Sequence, residues 1–187
     1  MLKNTMNILN FKEIKFNLLT LYHVAHVWVY EMDIKRKTNI AVINDGYIEL
    51  HHTGFVLGKL GLGAVMFPRK IRGKIVPVIV KESRTKSFSY NLNQFINFHE
   101  LGHFEKHINK ETGGILDHID HTPNNLEIEH EADWYAVEKI GYHLALDALY
   151  ELRDRVAFNK YINDVLTERI MKLKEHHIET LKNKGCE

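Results

Sequence analysis

Three residues in the middle of the chain have the types and the spacing for metal-assisted hydrolysis. His99, Glu100 and His103 form the pattern His-Glu-x-x-His, and residues four apart on a helix lie on the same face. Two imidazoles can therefore bind one metal ion, while Glu100 at the edge of that face can take a proton from a water molecule that the metal activates. The pattern predicts a metal-dependent hydrolytic site with Glu100 as its general base.

A third ligand has to come from elsewhere, because a hydrolytic zinc site has three protein ligands and an open position for water. Glu129 is the better candidate. It shares a helix face with Asp133, four residues further on. Asp133 can accept a hydrogen bond from the far nitrogen of a liganding histidine and so orient the ring. Ala132 and Ala136 are small and allow this helix to pack closely against the first.

Other side chains leave alternatives open at this stage. Further candidates for the third ligand are Glu127, Glu131 and His107. Candidates for stabilising a developing oxyanion are His118, His121, His130 and Tyr135. The metzincin arrangement is excluded, because Lys106 and Asn109 stand where that class has its glycine and its third histidine.

The elements that position these residues can be read from turn and capping signals. A β-hairpin is predicted from residues 40–43 and 47–50, and a strand from residues 75–80. Pro77 favours an edge or a bulge for that strand, and an edge strand could hold an extended substrate. The active helix should begin near residues 89–93, with Asn91 and Gln94 as a capping box. Gly102 is costly inside a helix and indicates the close approach of another backbone.

Four more helices complete the expected fold. They cover residues 11–33, 122–140, 142–157 and 160–182, and Gly141 suits the end of the second. We therefore predict an α+β fold, a mostly helical, zincin-like domain with a small β-sheet or hairpin before the active-site helix. The chain is expected to be one domain, residues 1–187, with a core at about 40–141 and helical extensions at both ends.

Residues 75–141 resemble the gluzincin metallopeptidases. The resemblance lies in His99-Glu100-x-x-His103 followed by Glu129-x-x-Ala132-Asp133-x-x-Ala136. This stretch is similar to the ImmA/IrrE group of small cytoplasmic peptidases. It is also similar to the HtpX-like peptidases, which usually carry transmembrane helices. Carried over by position, the resemblance implies His99, His103 and Glu129 as Zn²⁺ ligands, Glu100 as base, and Asp133 as hydrogen-bond partner of a ligand.

Composition bounds the partners and the compartment. With 44% hydrophobic and 26% charged residues and a net charge of +1, the chain is ordinary globular protein. Its one cysteine, Cys186, cannot form an internal disulfide, which favours a reducing compartment. We expect no signal peptide, because the first residues lack its short apolar run and small-residue cleavage site, and no apolar run approaches about 20 residues. We expect a cytoplasmic protein without a membrane span.

Two functions remain open from the sequence. The first is a zinc endopeptidase that acts on an intracellular, regulatory protein. The second is a non-catalytic zinc-containing module that binds a protein or DNA partner. Residues 69–86 hold seven basic residues and one acidic residue, which keeps a nucleic acid partner open, although a solvated face is the simpler interpretation. The presence of Glu100 favours the enzyme, because binding alone needs no base.

Overall fold

The protein is described from a computed structural model. The structure describes residues 38–44, 47–52, 63–71, 73–116 and 126–183. The chain divides into two compact units, Met1–Lys86 with His107–His121, and Ser87–Lys106 with Thr122–Glu187. We call them the sheet unit and the helical unit after their described elements. The α+β class is confirmed, whereas the single domain stays a prediction. The predicted helix over residues 11–33 lies outside the described residues.

Four strands form one sheet in the sheet unit. They are β1 (Thr38–Asn44), β2 (Tyr47–His52), β3 (Ala64–Ile71) and β4 (Lys74–Glu82), in the spatial order β1-β2-β4-β3. The predicted hairpin is confirmed, because β1 and β2 pair antiparallel with Asn44 opposite Tyr47. β2 runs parallel to β4, and β3 runs antiparallel to it. A 3₁₀ turn, Ser83–Ser87, follows β4.

The strand predicted at residues 75–80 is confirmed, but of the two positions that Pro77 favoured, an edge or a bulge, the edge is wrong, because β4 lies between β2 and β3. Pro77 stands opposite Pro68 of β3, and the pairing of β4 with β2 begins one residue later, at Val78. The missing amide of Pro77 therefore falls where the ladder with β2 has not yet begun, which a flanked strand tolerates. β4 offers no free edge for an extended substrate.

Four helices form the described part of the helical unit. They are α1 (Tyr90–His107), α2 (Leu126–Ile140), α3 (Tyr142–Arg155) and α4 (Lys160–Asn183). The cap of α1 is Ser89, whose Oγ accepts a hydrogen bond from the Leu92 amide at 3.1 Å, so the predicted Asn91 capping box is wrong. Gly141 ends α2 as expected: its φ is 89° and its amide donates to the Val137 carbonyl. The predicted Thr122 start of α2 lies outside the described residues.

The core of the helical unit consists of small and branched apolar side chains from all four helices. Its most buried members are Leu92, Phe95, Ala132, Ala136, Ala145, Ala148, Leu149, Leu166, Ile170 and Leu173. Alternation of alanine with leucine and phenylalanine allows close packing between neighbouring helices. No helix among the described residues is both long and apolar enough to cross a membrane.

Candidate metal centre

Helix α1 places two histidines on one face, as their spacing predicts. The imidazole rings of His99 and His103 meet edge to face with their centroids 4.6 Å apart. Their Nε2 atoms are 3.1 Å apart. His99 is buried and His103 is half-buried. Both Nε2 atoms thus face the same small volume at the surface of the helical unit.

Helix α2 adds a carboxylate to this pair. The Oε2 atom of Glu129 lies 3.4 Å from Nε2 of His99, and its Oε1 atom lies 3.5 Å from Nε2 of His103. Within the described part of the chain, these three residues are the group of histidine, cysteine or acidic side chains that can hold a metal ion. The predicted ligands are therefore brought together by the fold.

The spacing of the donor atoms fits a small tetrahedral ion. A tetrahedral site with metal–donor distances of about 2.0–2.1 Å has its donors about 3.3 Å apart. The two Nε2 atoms are 3.1 Å apart, and the two oxygens of Glu129 lie 3.4 Å (Oε2) and 3.5 Å (Oε1) from one imidazole each. Taking one atom from each residue, the three ligand atoms lie within 4.8 Å of one another. Two imidazoles and one carboxylate suit such an ion chemically and leave its fourth position open. The residues present therefore fit a metal ion.

A glycine allows the two helices to approach closely enough for this geometry. A Cβ atom at Gly102 would lie 2.8 Å from the Cα of Ala132 and 2.9 Å from its carbonyl oxygen. The Cβ of Tyr135 would be 3.0 Å away. Ala132 itself is fully buried. The close backbone approach predicted from Gly102 is thus confirmed, and it lies one residue before the second histidine.

Asp133 orients His99 from behind. Its Oδ1 atom is 2.8 Å from Nδ1 of His99, and the carboxylate is fully buried. A carboxylate accepts, so Nδ1 carries the proton of this hydrogen bond and Nε2 is the nitrogen that can bind a metal ion. The hydrogen bond that was predicted between Asp133 and a histidine of the motif is therefore present in the structure.

Arg169 on α4 completes the cluster, and the sequence analysis missed it. Its Nε donates to Oδ2 of Asp133 at 2.9 Å, and its Nη2 donates to Oδ1 of Asp133. Its Nη1 pairs with Oε2 of Glu129 at 3.0 Å. The signal was present, since Arg169 occupies a core position between Leu166 and Ile170 on the buried stripe of α4. An arginine in such a stripe indicates a buried anion.

The charges of this cluster shift the pKa values of Glu129, Asp133 and His99. Burial raises the pKa of Glu129 and of Asp133, but the guanidinium of Arg169 and the contact with His99 lower both pKa values well below their usual range. Burial and Arg169 lower the pKa of His99. Its hydrogen bonds to Asp133 and Glu129 outweigh them and raise that pKa to about 9. A metal ion must therefore displace the Nε2 proton of His99.

The remaining predicted residues lie at varying distances from the cluster. Glu100 is half-buried beside His99, and its charge contributes to the raised pKa of Arg169. His130 pairs instead with His176, with Nε2 and Nδ1 3.1 Å apart. The ring of Tyr135 lies under the Lys139 ammonium. The oxyanion roles of His130 and Tyr135 stay predictions.

The alternative third ligands are not part of the metal-binding group. Glu127 and Glu131 are exposed on α2, and His107 is a buried residue at the end of α1. None of the three joins His99 and His103 in a group of donors among the described residues. His118 and His121 lie outside the described residues.

Comparisons with models of protein families, with curated proteins and with solved structures find no match to this chain. The function therefore has to be inferred from the residues of the site itself. Two imidazoles and a carboxylate converge, a buried carboxylate orients one of the imidazoles, and a glutamate adjoins them on α1. Such a set of residues can bind a metal ion and leave its fourth coordination position open.

Proposed function

We propose that this chain is a zinc-dependent endopeptidase of the gluzincin type. The observation that carries the proposal is the convergence of His99, His103 and Glu129, whose ligand atoms lie within 4.8 Å of one another, with Glu100 next in sequence to a ligand. Glu129 follows His103 by 26 residues and lies on another helix, so the grouping depends on the packing of α1 against α2 as well as on the His-Glu-x-x-His pattern. When bound, a zinc ion acidifies a water molecule and polarises the carbonyl that the water attacks.

Each residue of the site has a role in this chemistry. Glu100 takes a proton from the attacking water and gives it to the leaving amine, so that one carboxylate serves both steps. His99, His103 and Glu129 hold the ion. Asp133 keeps the proton of His99 on Nδ1, with which it forms the 2.8 Å hydrogen bond. The proposed substrate is an intracellular, regulatory protein, as in the ImmA/IrrE-like peptidases that the sequence resembles.

A glutamate-to-glutamine exchange tests the proposal. Glu100→Gln keeps the size of the side chain but removes the base, so we expect zinc binding to persist while cleavage falls by at least about 100-fold. Glu105→Gln on the exposed part of α1 is the matched control and should cleave like the wild type. The substrate pool is a denatured cell extract, in which new peptide termini are counted by mass spectrometry.

Three results are distinguishable. New termini with the wild type and the control but not with Glu100→Gln support the peptidase. Equal cleavage by Glu100→Gln would contradict the role of this residue. A wild type that binds zinc but cleaves no peptide, in the pool or in cells, would favour the non-catalytic zinc module.

A further inference from the structure

We propose that Arg169 is a positioning residue that holds the carboxylates of Glu129 and Asp133 in the arrangement that binds the metal ion; this inference rests on the metal site proposed above. Arg169 lies on α4, 70 residues after His99. It approaches the two α2 carboxylates from a third helix. No part of the sequence motif contains it, and it supplies no donor to the metal.

All three nitrogens of the guanidinium group are used. Nε and Nη2 bind the two oxygens of Asp133, and Nη1 binds Oε2 of Glu129 at 3.0 Å. The side chain is only 10% exposed. A planar guanidinium fork fixes the direction of each carboxylate that it binds, and lysine cannot reproduce this geometry because its ammonium is a single point.

The contact with Asp133 extends to the metal ligand. Oδ1 of Asp133 is shared, because it accepts from Nη2 of Arg169 and from Nδ1 of His99. The 3.3 Å between Nη2 and Nδ1 is then the separation of two donors at one acceptor. By holding the plane of the Asp133 carboxylate, Arg169 holds the ring of His99 as well.

The contact with Glu129 orders the third ligand. Glutamate has three rotatable side-chain bonds, and this one is 29% exposed, so its carboxylate depends on polar contacts to be ordered. Arg169 binds Oε2 of Glu129. The other oxygen, Oε1, faces His103 and lies 3.5 Å from the Nε2 atom of that residue. The ligand is therefore held in its binding position before any metal arrives, which lowers the entropy lost on binding.

The positive charge of Arg169 disfavours metal binding, whereas its hydrogen bonds to the two carboxylates favour it. Because Arg169 contacts the ligand Glu129, its guanidinium repels a metal ion bound there and competes with that ion for the negative charge of Glu129. On charge alone, removing Arg169 would tighten metal binding. If Arg169 positions the ligands, its removal weakens metal binding. The sign of the change in affinity separates the two effects.

The experiment measures zinc affinity by competition with a chromophoric chelator, and the ligand geometry from the absorption spectrum of the cobalt(II)-substituted protein. We expect Arg169→Met to bind zinc about 10–100-fold more weakly, the usual effect of losing a residue that orients metal ligands. Arg169→Lys keeps the charge but should remain at least about 10-fold weaker. Arg153→Met on α3 is the control for loss of an arginine from the helical unit and should bind like the wild type. Affinity of Arg169→Met equal to or tighter than that of the wild type would overturn the inference.

A double-mutant cycle covers the case in which Arg169→Met does not fold. Asp133→Asn with Arg169→Met removes both buried charges and leaves neither unpaired. If Arg169 acts through Asp133, the double variant loses less affinity than the product of the two single losses, and the loss in Arg169→Lys stands in for an unfolded single variant. Multiplicative losses, or a full recovery in Arg169→Lys, would contradict positioning.

The failure of this inference is distinct from failure of the peptidase. Zinc binding that is normal in Arg169→Met removes the positioning role and leaves the metal site in place. Weakened binding in Arg169→Met together with a wild type that cleaves nothing supports positioning and removes the peptidase. A wild type that binds no zinc overturns both.

Discussion

The helical unit and the sheet unit each bury carboxylates beside cations, and the two arrangements differ in how the carboxylate oxygens are satisfied. In the helical unit, both oxygens of Asp133 accept hydrogen bonds from Arg169, and one also accepts from His99. In the sheet unit, Oε2 of Glu82 contacts Arg84, while Oε1 is buried without a hydrogen-bond partner among the described residues.

The pKa values follow this difference. The pKa of Asp133 is lowered although the residue is fully buried, because Arg169 and His99 outweigh the cost of burial. The pKa of Glu82 is raised to about 7, because burial outweighs the single contact with Arg84. Burial alone therefore does not decide the charge of a carboxylate here; the number of donors around it does. Only the fully satisfied cluster lies beside metal-binding donors.

The largest expected effect comes from removing a metal ligand in the helical unit. His103→Ala leaves two donors, which cannot hold a zinc ion against a competing chelator. We expect the zinc content, measured by plasma emission spectroscopy after dialysis, to fall from about one ion to near zero per chain. His143→Ala, an exposed histidine of α3, should retain the ion. Retention of zinc by His103→Ala would remove His103 from the site.

A change of intermediate size is expected in the sheet unit. Glu82 has its folded pKa raised from 4.5 to about 7, so its protonation stabilises the fold below pH 4.5 and this stability is lost as the pH rises through 7. At 1.36 kcal/mol per pH unit the loss is about 3 kcal/mol. Glu82→Gln has no such titration and should be more stable than the wild type at pH 8 by up to this amount.

Urea unfolding followed by circular dichroism at pH 5 and pH 8 measures this effect. Glu131→Gln on the exposed face of α2 is the control and should leave the pH dependence of the wild type unchanged. A wild type and a Glu82→Gln variant with the same difference in stability at both pH values would contradict the raised pKa.

The smallest expected effect separates packing from charge in the helical unit. Gly102→Ala improves helix propensity by about 1 kcal/mol, but its Cβ would meet the backbone of Ala132 at 2.8 Å. Because backbone atoms give way less readily than a side chain, we expect a net loss of about 1–2 kcal/mol of stability. Zinc affinity should also weaken several-fold as Glu129 moves away from the histidines.

Thermal unfolding and zinc competition measure both consequences of Gly102→Ala. Gly114→Ala is the control, because among the described residues a Cβ there meets only the Thr112 hydroxyl, at 3.4 Å. If Gly102→Ala were as stable as the wild type and bound zinc equally well, the close approach of α1 and α2 would not be what sets the donor spacing.

Local patterns were sufficient for most of the helical unit. The helices predicted at residues 142–157 and 160–182 are found at Tyr142–Arg155 and Lys160–Asn183, because their apolar periodicity and flanking turns are strong. His99, His103 and Glu129 were found because a helix places residues four apart on one face. The two histidines therefore share one face of α1, and Glu129 shares one face of α2 with Asp133.

Features that depend on pairing between distant segments were not predictable in this way. Strand β3 was missed because Pro68, Arg69 and Lys70 interrupt its apolar alternation. The place of β4 inside the sheet was missed because Pro77 is normally an edge signal, and its tolerance here depends on where β2 begins to pair. The place of Arg169 in an apolar stripe indicates a buried anion but not which one, because its partners lie on a helix whose position the sequence does not state.

The central claim is that His99, His103 and Glu129 bind one metal ion together. X-ray absorption spectroscopy at the zinc edge of the zinc-loaded protein tests it most directly, because imidazole rings give a characteristic outer-shell scattering. We expect two imidazole nitrogens and two oxygens around zinc in the wild type, and a near-complete loss of zinc from dialysed Glu129→Ala, which like His103→Ala keeps only two of the three ligands. Sulfur at about 2.3 Å from zinc, or a spectrum that Glu129→Ala leaves unchanged, would contradict it.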